Sequence, residues 1–213
     1  MAKVAKAYVF AGAALLIGSS LGCTSADVES GNEGVGAAEQ AASGVATAVL
    51  RDASGNFVGR VVFTSSGAST LIAVTARLPA GTDGIHGFHV HANDNPANGD
   101  GCIADPAQPA TTHFVSADGH YNPTGGTHGD HAGDMPALFF TESGSAAMTF
   151  LHDRFDAVAI RGRAVILHQA PDNYGNVPVG TAANQYTPNG PEATALTQAT
   201  GNAGARIACG VIQ

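Results

Sequence analysis

His89 and His91 stand two residues apart in the segment Gly84-Ile85-His86-Gly87-Phe88-His89-Val90-His91. Side chains two apart on a strand share a face, so this pair can present two imidazoles to one metal ion. Neutral imidazole is the commonest protein metal ligand, and it suits copper and zinc. Further donors follow along the chain: His120, His128, His131, Asp134 and His168. Singly, each has an ordinary reading: a turn cap for His120, solvated loop residues for His128 and His131, a strand-rim histidine for His168. Their joint occurrence is what points to metal chemistry.

Positioning such donors requires strands that bring distant segments together. Alternation with period two is visible, for example Leu71, Ala73, Thr75 and Arg77 against Ile72, Val74, Ala76 and Leu78. Strands are expected at 46–51, 57–64, 69–78, 84–91, 137–142, 146–151, 158–168 and 206–212, with turns at 53–56 and around Ser143-Gly144. Helix-forming periodicity is scarce after residue 45. Two long stretches, 92–136 and 169–205, begin directly after histidine-bearing strands, and loops of that length inside a compact domain usually carry function. The expected fold is all-β: an eight-stranded Greek-key β-sandwich or flattened barrel with two long functional loops.

From about residue 45 to 213 the chain resembles the copper/zinc superoxide dismutases. The resemblance rests on Gly87-Phe88-His89-Val90-His91, Gly119-His120-Tyr121-Asn122-Pro123, His131-Ala132-Gly133-Asp134, the run from Gly162 to His168, and the run from Gly201 to Val211. These motifs occur in family order, and the family is one of those that share the sandwich architecture. The resemblance implies a copper site of His89, His91, His120 and His168. It implies a zinc site of His120, His128, His131 and Asp134, with His120 as the bridge. Four nitrogens in a flattened array suit Cu(II), and a tetrahedral His₃Asp set suits Zn(II). An imidazole bound at both nitrogens loses both ring protons, which two flanking cations make possible; the bridge is then a usable proton carrier.

Other roles follow from the same resemblance. Asp172, four residues after His168, matches a carboxylate that accepts the second N–H of a ligand imidazole. Arg206 matches an arginine at the copper channel that attracts the superoxide anion. His86 is expected to support packing, and His113 and His152 are expected at the surface. The sequence departs from the family pattern in one place: His128 and His131 are only three apart, where relatives usually carry a longer insertion. Asp130 is the alternative oxygen ligand there if His128 points away.

The function implied is conversion of superoxide to oxygen and hydrogen peroxide, with Arg206 and His120 as catalytic residues. Three other readings use the same residues: a non-enzymatic copper/zinc-binding protein of the cell envelope, a copper chaperone, and a copper-only dismutase with a defective zinc site. An anion guide such as Arg206 favours the enzyme over storage. The lack of a Cys-x-Cys or Cys-x-x-Cys motif counts against the chaperone.

The N-terminus carries Lys3 and Lys6, an apolar run over 7–17, and then Gly18-Ser19-Ser20-Leu21-Gly22-Cys23. This is the pattern of an export signal, with an apolar run too short to span a bilayer comfortably. Leu21-Gly22-Cys23 resembles a bacterial lipoprotein signal, although Ser20 stands where a large apolar residue is usual; a plain cleaved signal is the alternative. The expected organisation is a leader at 1–22, Cys23 as lipidation site and membrane anchor, a flexible tether at 24–44, and the dismutase-like domain at 45–213.

The three cysteines are Cys23, Cys102 and Cys209. Lipid on Cys23 would leave Cys102 and Cys209 as a pair in a disulfide-permissive compartment; two buried free thiols are the alternative. Both lysines lie in the leader, so its removal leaves seven arginines against 17 acidic residues, a charge of −10. That balance excludes nucleic acid as a natural partner. It also means that an anionic substrate must be drawn in by local positive potential, and the loop 169–205 contains no lysine or arginine to supply it. The sequence assigns no oligomeric state.

Overall fold

The computed structural model describes residues 44–99, 101–175 and 191–213. The leader, Cys23 and all of the tether except Gly44 lie outside the described residues. Seven strands form one curled antiparallel sheet in the order β5-β8-β9-β1-β2-β3-β7. They are β1 (Val45–Arg51), β2 (Phe57–Ser66), β3 (Ser69–Arg77), β5 (Phe88–His91), β7 (Ser145–His152), β8 (Ala164–His168) and β9 (Arg206–Val211). A short ribbon pairs β4 (Gly84–His86) with β6 (Leu138–Phe140). β4 leads into edge strand β5 and β6 leads toward the opposite edge strand β7, so this ribbon draws the two edges of the sheet toward each other. The expected all-β, flattened-barrel fold is what the chain adopts.

Alternation builds the inner face. Ala46, Ala48 and Leu50 of β1, Val61 and Phe63 of β2, and Ile72 and Val74 of β3 are buried in one cluster. Their neighbours Val49 and Leu71 face outward. In β5 and β8 the pattern changes, because every residue is buried. Phe88, Val90, Val165 and Leu167 join the main core. The opposite face of the same strands is covered by the long loop that follows β5, where Phe114 and Ala117 pack on Ala164, Ile166 and Cys209. His89, His91 and His168 belong to this second, roofed face. Register places His89 opposite Ile166 and His91 opposite Ala164.

Three expectations about elements are corrected. The run 84–91 divides at Gly87 into two strands with different partners, because the Gly87 N–H bonds the Ala170 carbonyl and its own carbonyl accepts from His168 N. The described residues therefore hold nine strands. The strand expected over 158–168 begins only at Ala164: Asp156 caps Val158 N–H at 2.8 Å and residues 158–163 turn, with Gly162 at φ 85°. The stretch 169–205 contains a helix, α1 (Pro191–Thr200). Proline at the first helical position is preorganised for that start. Gly201, at φ 62°, closes the end by donating to the Thr197 carbonyl at 2.9 Å.

Cys102 and Cys209 form a disulfide, with Cα atoms 5.5 Å apart. It ties the loop after β5 to β9, three residues beyond Arg206. By closing a span of 107 residues it removes freedom from the unfolded chain, an effect of about 4–5 kcal/mol for a loop of that size.

Candidate metal centre

The roofed face of β5 and β8 carries two overlapping groups of donors. His89, His91, His120 and His168 offer ligand atoms that all lie within 4.8 Å of one another, and all four residues are buried. His120, His128, His131 and Asp134 form a second group within the same distance of one another, its three histidines buried and Asp134 partly so. His120 is common to both.

In the first group each ring uses one nitrogen to bond the protein and keeps the other free. His89 Nε2 donates to Asp172 Oδ2 at 2.7 Å, His91 Nδ1 to the Asp118 carbonyl at 2.8 Å, and His168 Nδ1 faces the Gly204 carbonyl at 3.3 Å. His120 Nδ1 lies 2.7 Å from Asp134 Oδ1. The remaining atoms, His89 Nδ1, His91 Nε2, His120 Nε2 and His168 Nε2, are buried and have no hydrogen-bond partner. Buried polar atoms are almost always partnered, so four orphaned nitrogens converging on one point fit a metal ion. The outer hydrogen bonds fix which nitrogen is free, as ligand histidines require. Burial also lowers the proton affinity of these rings. It pushes His91 and His168 well below the ordinary range, with neighbouring imidazoles adding to the effect, and it takes His120 to about 3 despite Asp134. All three are neutral, as ligands must be.

The second group is tighter. His120 Nδ1 and His131 Nδ1 are 3.3 Å apart, and His131 Nδ1 lies 3.3 Å from Asp134 Oδ1. His128 Nδ1 is also 3.3 Å from Asp134 Oδ1 and is buried without a hydrogen-bond partner. Donors about 2.0–2.1 Å from a tetrahedral zinc sit roughly 3.3 Å from each other, which is the spacing of these three pairs; His120 Nδ1 and Asp134 Oδ1 are closer, at 2.7 Å. Asp134 presents only Oδ1 to the group, because Oδ2 accepts the backbone N–H groups of Gly129 and His131 at 2.7 and 3.1 Å. Burial alone would raise its carboxyl, but the facing His120 and His128 imidazoles outweigh it and hold the group below the usual range. Burial alone would push His128 down, but Asp134 and Asp172 outweigh it and lift the ring to about 9.

Asp172 does more than the sequence reading expected. Its Oδ2 meets His89 Nε2 and its Oδ1 meets His128 Nε2, both at 2.7 Å, so one carboxylate joins a donor from each group. Gly201 lies against that junction, where a Cβ would collide with Asp172 Oδ1 and His128 Nε2. Arg206 is half-buried, and its guanidinium donates to the carbonyls of Phe114 and Asp118, both at 2.5 Å. Burial lowers it to about 10, with Asp118 working the other way; it is charged at neutral pH.

The short spacing of His128 and His131 does not prevent convergence. His128 points inward, and Asp130 is exposed and belongs to neither group. His86 is buried and reaches the His168 carbonyl through Nδ1 at 2.8 Å, consistent with packing support. His113 is part-exposed. His152, expected at the surface, is buried, with Nε2 on the Ala132 carbonyl at 2.9 Å. Its place at the end of a strand gave no sign that a loop 20 residues earlier folds over it. The role of the Asp118 carbonyl, shared by His91 and Arg206, was also beyond the sequence reading, since a carbonyl leaves no mark on residue type.

A curled antiparallel sheet whose roofed face holds two donor groups joined by one imidazole defines a class, the binuclear metalloproteins of the β-sandwich type. A model of the family described as copper/zinc superoxide dismutase matches residues 57–212. The chain is 32% identical over 231 aligned residues to the superoxide dismutase [Cu-Zn] of Mycolicibacterium paratuberculosis, covering 100% of this chain and 99% of that protein. It is 33% identical over 154 residues to the superoxide dismutase [Cu-Zn] of Mycobacterium tuberculosis, covering 70% of this chain and 61% of the relative. The fold is similar to that of the Cu/Zn superoxide dismutase from Brucella abortus, with a TM-score of 0.55, 25% identity, and coverage of 80% of this chain and 100% of that one. The chain belongs to the copper/zinc superoxide dismutase family. It is an oxidoreductase acting on superoxide, with copper and zinc as its cofactors.

Proposed function

We propose that His89, His91, His120 and His168 hold the copper, that His120, His128, His131 and Asp134 hold the zinc, and that His120 bridges them. The observation that carries this assignment is His120 itself. Its Nε2 is an unpartnered buried atom among the first group, and its Nδ1 sits 2.7–3.3 Å from donors of the second. Copper supplies one-electron chemistry, and zinc supplies fixed positive charge. The residues supply the rest. Asp172 orients His89 and His128 together, and the Asp118 carbonyl orients His91. Arg206, pinned by two carbonyls, retains further N–H donors with which to hold the superoxide anion; superoxide dismutases are themselves a standard example of such steering. His120 Nε2 is the atom that would take up one proton and release it to peroxide, with solvent supplying the second, in 2 superoxide + 2 H⁺ → O₂ + H₂O₂. Substitution His120→Ala in the metal-loaded protein is expected to lose zinc and dismutation together. Zinc content and turnover both unchanged would refute the bridge.

The chain organisation is part of the same proposal: a leader at 1–22, lipid on Cys23, a tether at 24–44 and the enzyme domain at 45–213, acting against superoxide in the bacterial envelope. The Cys102–Cys209 disulfide supports export, because such bonds persist in oxidising compartments. Mass measurement of the protein extracted from membranes tests the anchor: a mature chain starting at Cys23 with a diacylglycerol addition is expected, and an unmodified soluble chain would refute it.

A further inference from the structure

The segment between His128 and His131 holds only two residues, Gly129 and Asp130. So short a turn has no side chains of its own with which to fix both donors. The structure supplies a brace from elsewhere. Arg154 Nη1 donates to the Gly129 carbonyl at 2.9 Å and to the His131 carbonyl at 3.1 Å. His152 Nε2 reaches the next carbonyl, Ala132, at 2.9 Å. Three carbonyls in a run of four residues are thus held by two side chains from the end of β7 and the residues just after it.

The platform that carries these donors is itself anchored. His152 pairs in register with Thr70 of β3, and Thr70 Oγ1 donates to the Phe155 carbonyl at 2.7 Å. The His152 ring packs 4.3 Å from the Phe155 ring, and Phe155 meets Phe63 of the core edge-on at 6.2 Å. From the other side, Gly129 at φ 95° comes close under the Tyr174 carbonyl, where a Cβ would sit at 3.1 Å, so the turn is gripped on both flanks. The ion pair from Arg154 Nη2 to Asp130 is long at 3.7 Å, and Asp130 is 82% exposed in its side chain; pairs of that kind contribute little. The carbonyl contacts, not the ion pair, are the working part.

We propose that Arg154 and His152 are positioning residues that clamp 129–132 and so set the affinity and geometry of the zinc donors. This rests on the assignment of His128, His131 and Asp134 to zinc. The sign of the effect separates the clamp from simple electrostatics. Removing a cation near a divalent ion would tighten zinc binding if charge alone mattered, whereas removing a clamp weakens it. Partners that orient metal ligands typically account for about 10- to 100-fold in affinity.

The test uses the full-length protein with copper bound and kept reduced, so that its spectrum is silent. Zinc affinity is measured by competition with a chelator, and the donor geometry is read from the visible bands of Co(II) placed in the zinc site. Arg154→Ala is expected to weaken zinc about 10- to 100-fold and to perturb the Co(II) bands, while copper is retained. Arg154→Lys, which keeps a donor and the charge, recovers part of the loss. Asp130→Asn leaves zinc affinity at the parent value, and His152→Gln, which can still donate, falls between the parent and Arg154→Ala. Unchanged or tighter zinc in Arg154→Ala, with unaltered Co(II) bands, overturns the clamp. His131→Ala serves as the reference: loss of zinc there with none in Arg154→Ala sinks only the clamp, whereas zinc retained in His131→Ala sinks the ligand assignment itself.

Discussion

Replacing Asp172 by Asn would remove one charge and one acceptor from the centre at almost constant shape. In the structure Oδ2 accepts from His89 Nε2 and Oδ1 accepts from His128 Nε2, each at 2.7 Å. Tyr174 N–H donates to Oδ1 as well, also at 2.7 Å. An amide has a single oxygen. If that oxygen stays with His128 and Tyr174, the NH₂ group meets the His89 N–H, donor against donor. If the amide turns over, His128 and Tyr174 lose their acceptor. A buried hydrogen bond to a charged group contributes about 1.5–3 kcal/mol. With about 1.4 kcal/mol per factor of ten, the lost contact corresponds to about 10- to 100-fold in metal affinity. Zinc should suffer more than copper. His89 is a rung of the β5–β8 ladder, fixed opposite Ile166 by backbone bonds. His128 lies in a turn, and its ring is oriented by side chains alone. The assay is metal retention of full-length Asp172→Asn under graded chelator, with the melting temperature of the metal-free protein recorded in parallel. Zinc affinity within about threefold of the parent, less than half a factor-of-ten step in free energy, would falsify the reasoning, and so would copper leaving before zinc.

Arg206→Ala should leave copper content unchanged and lower the low-salt kcat/KM about tenfold, the lower end of what a focusing charge supplies; equal rates with and without the side chain at low ionic strength would remove its guiding role. The metal-free protein should lose stability as pH falls from 7.5 to 5.5. Burial depresses His89, His91, His120 and His168, so their contribution is present above the unfolded value of about 6.5 and is lost as protons bind. His128 runs the opposite way. Raised to about 9, it favours folding fully below about 6.5 and less as pH climbs toward 9. One group does not offset four, so a melting temperature of the metal-free protein that is flat or rising over this acid step would contradict the assignment.

Much of the centre could be read from the sequence because its donors sit where local pattern is strong. His89 and His91 share a face by strand periodicity alone, and the residues around His120, Asp134 and His168 carry motif-length signatures. The fold class followed in the same way from alternation in β1, β2 and β3. What escaped was set by tertiary contact. The split at Gly87 depends on Ala170 and His168, both distant in sequence. The helix over Pro191–Thr200 has ordinary helix-forming residues but no long apolar stripe, and it was hidden inside a stretch dominated by its flanks. Burial of His152 depends on a loop that returns over the end of β7.

The shortened turn between His128 and His131 shows why ligand spacing alone underdetermines a metal site. The sequence displays a departure from the family pattern at that point, and spacing by itself leaves two outcomes: the donors converge, or His128 swings out and Asp130 takes its place. What decides between them is backbone satisfaction. Asp134 Oδ2 gathers the N–H groups of Gly129 and His131, and Arg154 and His152 gather the carbonyls of Gly129, His131 and Ala132. With donors and acceptors of the turn both occupied, His128 and His131 have little freedom left to turn outward. At the buried end of the turn, His131 and Ala132, each backbone group left unpaired would cost about 1–3 kcal/mol. The short turn is therefore tolerable only where such a frame exists, and Arg154, with several N–H donors on one planar group, is the kind of side chain that can hold two carbonyls at once.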